Sequence, residues 1–278
     1  MAGQVTLADG HCWEIRAADA YSAHLVTTLT AAMQCRPVQP PQHRIIVHTH
    51  ASQHPDVHNH AQRPETTISS ETHQSIHCAF PPAVDAMTFA RHLRQLALIM
   101  ARTSQRSGGL LVHGALVALD ERGVILAGPP GIGKTTACQR IPAPWRVCSD
   151  DLTLIVRDRH GMYWAHPWPT WSRFLHSGVG GSWNVQAAVR LQAICFVTRA
   201  GEDTIEPLGR GRAACFGVKA CEQAGWGMPS GLPQEDQISM RTQCFQTICA
   251  LTTTLPCYLL RLSLHGRFWL HLEQMLAS

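Results

Sequence analysis

The chain is short of charge: Asp, Glu, Lys and Arg together make up 15% of its 278 residues. Lysine is rare, so most of the positive charge is arginine. The formal net charge is only +4, and no Lys/Arg cluster stands out. A sequence-independent hold on nucleic acid needs a concentrated basic face, so nucleic acid is not an expected partner. Long apolar runs are lacking too. None approaches the ~18 residues that span a bilayer, so no membrane segment is expected. The opening stretch, "MAGQVTLADGHCWEI", has no basic start followed by an apolar core, so no signal peptide is expected. Cysteine is not scarce, with 11 residues, but no CxxC pair occurs. That excludes zinc-ribbon and thioredoxin-type spacings. Cys148 and Cys195 lie in apolar runs and read as small buried hydrophobes. This usage fits a reducing cytoplasm better than secretion.

What is present is a core-forming composition, 45% hydrophobic, long enough for one large domain or two small ones. Residues 1–85 read as a small N-terminal region. It has a strand-like start, a helical pattern around Ala17–Met33 and one strand at Arg44–His48. A His/Pro-rich stretch at about 49–75 reads as a flexible excursion. His48, His50, His54, His58 and His60 crowd this region. His54 and His58 have i,i+4 spacing, but Pro55 opposes a helix there, so a polar loop competes with metal capture.

Residues 86–278 read as the main domain. Met87, Ala90, Leu93, Ala97 and Met100 recur at helical steps, and "SGG" at Ser107–Gly109 ends that pattern. "LLVHGALVAL" and "GVILAG" are apolar strands around the turn "DERG". A short helix is expected over Thr135–Ile141, stopped by Pro142 and Pro144. "WRVCSDDLTLIVRD" reads as two strands broken at Ser149–Asp151, and "LQAICFVTRA" and "CYLLRLSL" as further strands. Residues 210–228 and 234–254 read as partly helical, and "RFWLHLEQMLA" as a terminal amphipathic helix. Strands alternating with short helices make the class α/β or α+β.

Three features bear chemistry. Gly128-Pro-Pro-Gly131-Ile132-Gly133-Lys134-Thr135, followed by Thr136, fits G-x-x-x-x-G-K-[ST] between an apolar strand and a helix. Glycine permits the backbone angles that let successive N–H groups converge on a phosphate. The start of the helix adds partial positive charge. Lys134 would reach the β/γ-phosphates of ATP, and the Thr135 hydroxyl would ligate Mg²⁺. Pro129 and Pro130 have no N–H, so the donors begin at Gly131. The second feature, Asp150 and Asp151, follows unusually soon after the loop. One carboxylate would hold Mg²⁺ while the other takes a proton from an attacking hydroxyl; a solvated turn is the bland alternative. The third is His113, where a core histidine competes with a catalytic one. "HPWPTWSRF" offers His166 and Arg173 as covering or gripping groups, against a loop closing the core with Trp168 and Trp171. Arg210 and Arg212 read as a solvated helix start or as phosphate contacts.

"VHGALVALDERGVILAGPPGIGKTTACQRIPAPWRVCSDD" resembles the core of HPr kinase/phosphorylase, whose fold is like that of phosphoenolpyruvate carboxykinase. The whole chain, including "LPCYLLRLSLHGRFWLHLEQML", is similar to the ScmC-type proteins of SynChlorMet cassettes, encoded beside peptide-modification genes. The resemblance implies an α/β, HPr kinase-like P-loop core with a small, poorly defined N-terminal region. It makes Gly128, Gly131, Gly133, Lys134 and Thr135 ATP-phosphate ligands, Asp150 and Asp151 the base and metal pair, and His113 their neighbour. It implies phosphoryl transfer to a hydroxyl, such as a Ser of a small protein or modified peptide, and leaves homo-oligomer formation open. The Glu-bearing, RG-containing signature of HPr kinases has no counterpart, since "AHPWPTWSRF" stands there. A nucleotide-binding, non-catalytic partner in a peptide-maturation assembly is therefore the alternative.

Overall fold

The computed structural model describes residues 2–36, 43–49, 67–71, 75–171, 181–225 and 234–277. It is mixed α/β, with thirteen strands and six α-helices among the described residues. Two compact units divide the chain: residues 1–100 with 169–186, and residues 101–168 with 187–278. The chain passes from the first to the second within helix α2 (Ala86–Thr103). All eleven cysteines are free thiols.

The first unit is built on a five-stranded sheet. It comprises β1 (Ala2–Thr6), β2 (Cys12–Ala17), β3 (His43–Thr49), β4 (Thr67–Glu71) and β5 (Ser75–Phe80), in the order β1-β2-β3-β5-β4. β1 and β2 form an antiparallel hairpin, whereas β2 and β3 are parallel. Parallel neighbours need a crossover, and α1 (Ala20–Ala32) supplies it. Asp19 caps α1: its side chain accepts from Ser22 N at 2.9 Å, and Ser22 Oγ accepts from Asp19 N at 3.1 Å. Leu25, Val26 and Leu29 are fully buried on its inner face.

Strand β4 lies where composition pointed mainly to loop, and β5 follows directly after that stretch. In β5, Ile76, Cys78 and Phe80 alternate inward, but His77 and the polar surroundings hide that short signal. The polar TISSE of β4 pairs only at the sheet's end, and an edge strand needs no apolar pattern. His48 falls in β3, whereas His50, His54, His58 and His60 lie outside the described residues. On α2, Ala90, Leu93, Ala97 and Met100 are buried as the spacing predicts, but Met87 in the first turn is 60% exposed.

The second unit carries eight strands and most of the helices. β6 (Leu110–Leu119) and β7 (Arg122–Ala127) form the expected antiparallel hairpin. After α3 (Lys134–Arg140) come β8 (Arg146–Ser149), β9 (Leu152–Arg157), β10 (Tyr163–Trp168), β11 (Val189–Arg199) and β12 (Thr204–Pro207). Then follow α4 (Arg210–Gln223), α5 (Gln234–Thr254), β13 (Cys257–Leu262) and α6 (Phe268–Ala277). The sheet order is β10-β9-β6-β7-β11-β13-β12, with β8 beside β6. β10 also pairs with β11, so β10, β9, β6, β7 and β11 close a ring.

Strands β7, β11 and β13 run parallel. β6 is buried over nearly all its length, as befits a central strand. Gly108, at φ +84°, takes a left-handed cap, but it closes the short 3₁₀ turn Gln105–Ser107 rather than α2, which ends at Thr103. Gly114 allows β6 to sit close to β7, because an added Cβ would lie 2.7 Å from Ile125 Cγ2. Beneath the sheet, Leu126, Val197 and Leu260 pack with Phe268 and Leu272 of α6.

Candidate functional site

The parallel strands β7 and β11 both end at one edge of the second unit, and the Gly-rich loop leaves from β7. Strand ends of this kind, where chains turn away from a sheet, are where α/β proteins place their ligands. Gly131 and Gly133 have φ of +75° and +114°, angles that L-residues adopt only with strain. A Cβ at either would meet nothing within 4 Å, so conformation alone demands glycine there. Gly128 differs: an added Cβ would sit 3.2 Å from Val197 O, so glycine there serves close packing against β11.

Lys134 opens α3, and its side chain is only 5% exposed in the folded chain. Its ammonium turns back under the loop and donates to Gly128 O at 2.8 Å and Pro129 O at 3.1 Å. Burial pushes its pKa below the ordinary value, while the negative charge of Asp151 opposes that shift. Ile132 N donates to Pro129 O at 3.3 Å, which folds the loop on itself. Thr135 and Thr136 stand exposed on the first turn of α3. Although α3 has only seven residues, Arg140 near its end anchors it, donating to Ser263 O at 2.7 Å and to Gly266 O.

Strand register brings the other expected residues to the loop. Gly114 pairs with Ala127, which sets His113 at the end of β7 just before Gly128. His113 in turn pairs with Leu152, so Asp151 follows at its side although 38 positions separate them. His113 Nε2 donates to Asp151 Oδ1 at 2.9 Å. Its Nδ1 faces Gln223 Oε1 of α4 at 3.2 Å. His113 is thus buried and committed at both ring nitrogens, and the imidazole holds one carboxylate in place. Asp150 and Asp151 sit together between β8 and β9, half-buried. Thr153 Oγ1 bonds Gly114 O at 2.9 Å and lies 3.3 Å from Ser149 Oγ, which clamps the turn carrying both acids onto β6.

Two positioning residues gave little sign in the sequence. Arg199, at the end of β11, donates through Nε to Ile132 O at 3.3 Å and through Nη2 to Gly131 O. It holds the outer arm of the loop by its carbonyls. Its only signal is an arginine closing a mainly apolar strand. Gln223 lies in the last turn of α4, 110 positions from the histidine it meets, and no local pattern marks it.

Other candidates resolve differently. His166 is 1% exposed within β10, and Trp168 is equally buried, so this stretch closes the core rather than facing a ligand. Arg173 lies outside the described residues. Arg210 begins α4 at the surface. Arg212 borders a cavity of about 710 Å³ against the loop, which Gly128, Ile132, Phe216 and Lys219 also line. Among the described residues, no three His, Cys, Asp or Glu side chains group as metal ligands. A magnesium ion does not need that many, because it takes one or two carboxylates with phosphate oxygens and water. The donor set here, two adjacent carboxylates and an exposed threonine hydroxyl, fits such an ion.

Fold and site together define a mixed α/β protein in which a Gly-rich loop and a histidine-held carboxylate share one end of a sheet. The family model of the SynChlorMet cassette protein ScmC matches residues 76–277, and the chain belongs to that family. No curated protein matches the chain. No helix among the described residues is long and apolar enough to cross a membrane.

Proposed function

We propose that the protein transfers the γ-phosphoryl group of ATP, with Mg²⁺, to a hydroxyl on a small protein or modified peptide. The observation that carries this reading is the His113–Asp151 contact, formed where the chain enters the GxxxxGKT loop. A merely structural glycine loop has no use for a positioned carboxylate beside it, whereas phosphoryl transfer needs one to accept the acceptor's proton. Asp151 is assigned that role, held in orientation by His113. Asp150 and the Thr135 hydroxyl would hold Mg²⁺, which when bound neutralises phosphate charge. Lys134 exchanges its loop carbonyls for phosphate oxygens, and the loop's N–H groups from Gly131 onward complete the cradle. In the step itself the acceptor O–H loses its proton to Asp151, its oxygen bonds the γ-phosphorus, and the bond to ADP breaks.

A second reading keeps nucleotide binding without transfer. It is favoured by "AHPWPTWSRF", where an HPr kinase carries its Glu signature, since β10 there is buried core. Intact-mass spectrometry separates the two readings. The protein is incubated with ATP, Mg²⁺ and the products of neighbouring cassette genes. One added phosphate on a neighbour, lost in Asp151→Asn, supports transfer. ATP binding with no phosphate on any neighbour leaves the binding reading in its place.

A further inference from the structure

The cavity against the loop is lined by residues from β7, β11, β13 and α4, all within the second unit. At about 710 Å³ it falls in the range of small-molecule sites. Its walls divide by chemistry. Phe196 of β11 is buried and meets Phe216 of α4 with ring centroids 5.4 Å apart. Phe216 is only half-buried, so part of an aromatic surface is left to the cavity. On the same face of α4, Arg212 lies one turn before Phe216 and Lys219 one turn after it, and both are exposed. None of the described lining residues is acidic. An aromatic wall flanked by cations, with the Gly-rich loop as the adjoining wall, suits a planar ring joined to phosphates.

Gln223, which meets His113, also lines the cavity, so the cavity runs from the loop to the histidine that holds Asp151.

Resting on the phosphoryl-transfer reading, we propose that this cavity is the nucleoside seat, with Phe216 under the base and Arg212 and Lys219 beside the nearer phosphates. The test is calorimetric titration of the full chain with ATP and, separately, with inorganic triphosphate, both with Mg²⁺. ATP should bind more tightly than triphosphate. Phe216→Ala should weaken ATP about tenfold, the scale of one base stacked on an aromatic ring. Triphosphate binding should stay unchanged in that variant, which also reports that it is folded. Equal affinity for ATP and triphosphate, or a Phe216→Ala variant that keeps wild-type ATP affinity, overturns the seat and leaves the loop reading standing. Failure of the wild-type chain to bind either ligand overturns the loop reading, and the seat with it.

Discussion

The two units spend their polar side chains differently. In the first, polar side chains such as Asp19, Glu14 and His48 tie one strand to the next or to the adjoining helix. Asp19 caps α1 and accepts from Thr49 N at 2.6 Å, tying the helix start to the end of β3. Glu14, on β2 with only 3% of its side chain exposed, meets Arg16 at 3.1 Å and Arg44 of β3 at 3.0 Å. His48 and His77 bond across β3 and β5 at 2.9 Å. In the second unit, polar groups from β6, β11, α3, α4 and the β8–β9 turn meet at one sheet end. Pairing that a neighbouring strand explains reads as architecture. Convergence from five elements on one loop has no architectural use, and that is what marks a site.

Substitutions should break this contrast in order of size. Asp151→Asn in the second unit should slow phosphoryl transfer by about 10²–10⁴-fold, the worth of a general base, with ATP binding retained. An Asp151→Asn variant that transfers at the wild-type rate removes Asp151 from the chemistry. Lys134→Met should cost roughly 10²–10³-fold in transfer, as loss of one charge-stabilising donor does. It should not lower thermal stability. The folded state holds the Lys134 proton less tightly than the unfolded chain, so this group makes stability rise with pH below its ordinary value of 10.5. Lys134→Met should remove that rise, which denaturant titrations at several alkaline pH values would show.

How much of this was legible beforehand depends on the range of the interaction. The loop, α3 and the β6–β7 hairpin are local, written in glycine, proline and apolar spacing, and the structure has them within a residue or so of where the sequence puts them. Strand β4 is short and polar within a stretch rich in His, Pro and Thr, and β5 and β12 are runs too short to show a period. The acids were visible as a pair. Their nearness to His113 came only from the family resemblance, and which acid the imidazole meets depends on the β6–β9 register.

Smaller effects should appear in the first unit, and they should leave transfer unchanged. Arg44→Ala takes one of two partners from buried Glu14 and should cost about 1–3 kcal/mol, measured by chemical denaturation. Asp19→Ala should cost about 1 kcal/mol through the lost helix cap. Burial works to raise the Asp19 carboxyl, but hydrogen bonds from Thr49 and Ser22 win and bring it to about 2. The lowered value means its contribution is fully present above the ordinary 3.8 and is lost as pH falls through about 2. The gap between wild type and Asp19→Ala should close over that window. Either substitution altering transfer at constant stability would blur the division between the units.

The sequence by itself determined the loop's conformation, since only glycine tolerates the backbone angles of Gly131 and Gly133, and it set a basic group and two acids close along the chain. Only the tertiary structure decided which acid meets His113, that Arg199 props the loop's outer arm, and that Phe216, Arg212 and Lys219 border the cavity beside it. Those contacts join residues tens to more than a hundred positions apart. Strand register and helix packing set such distances, and no local pattern of residue types encodes them.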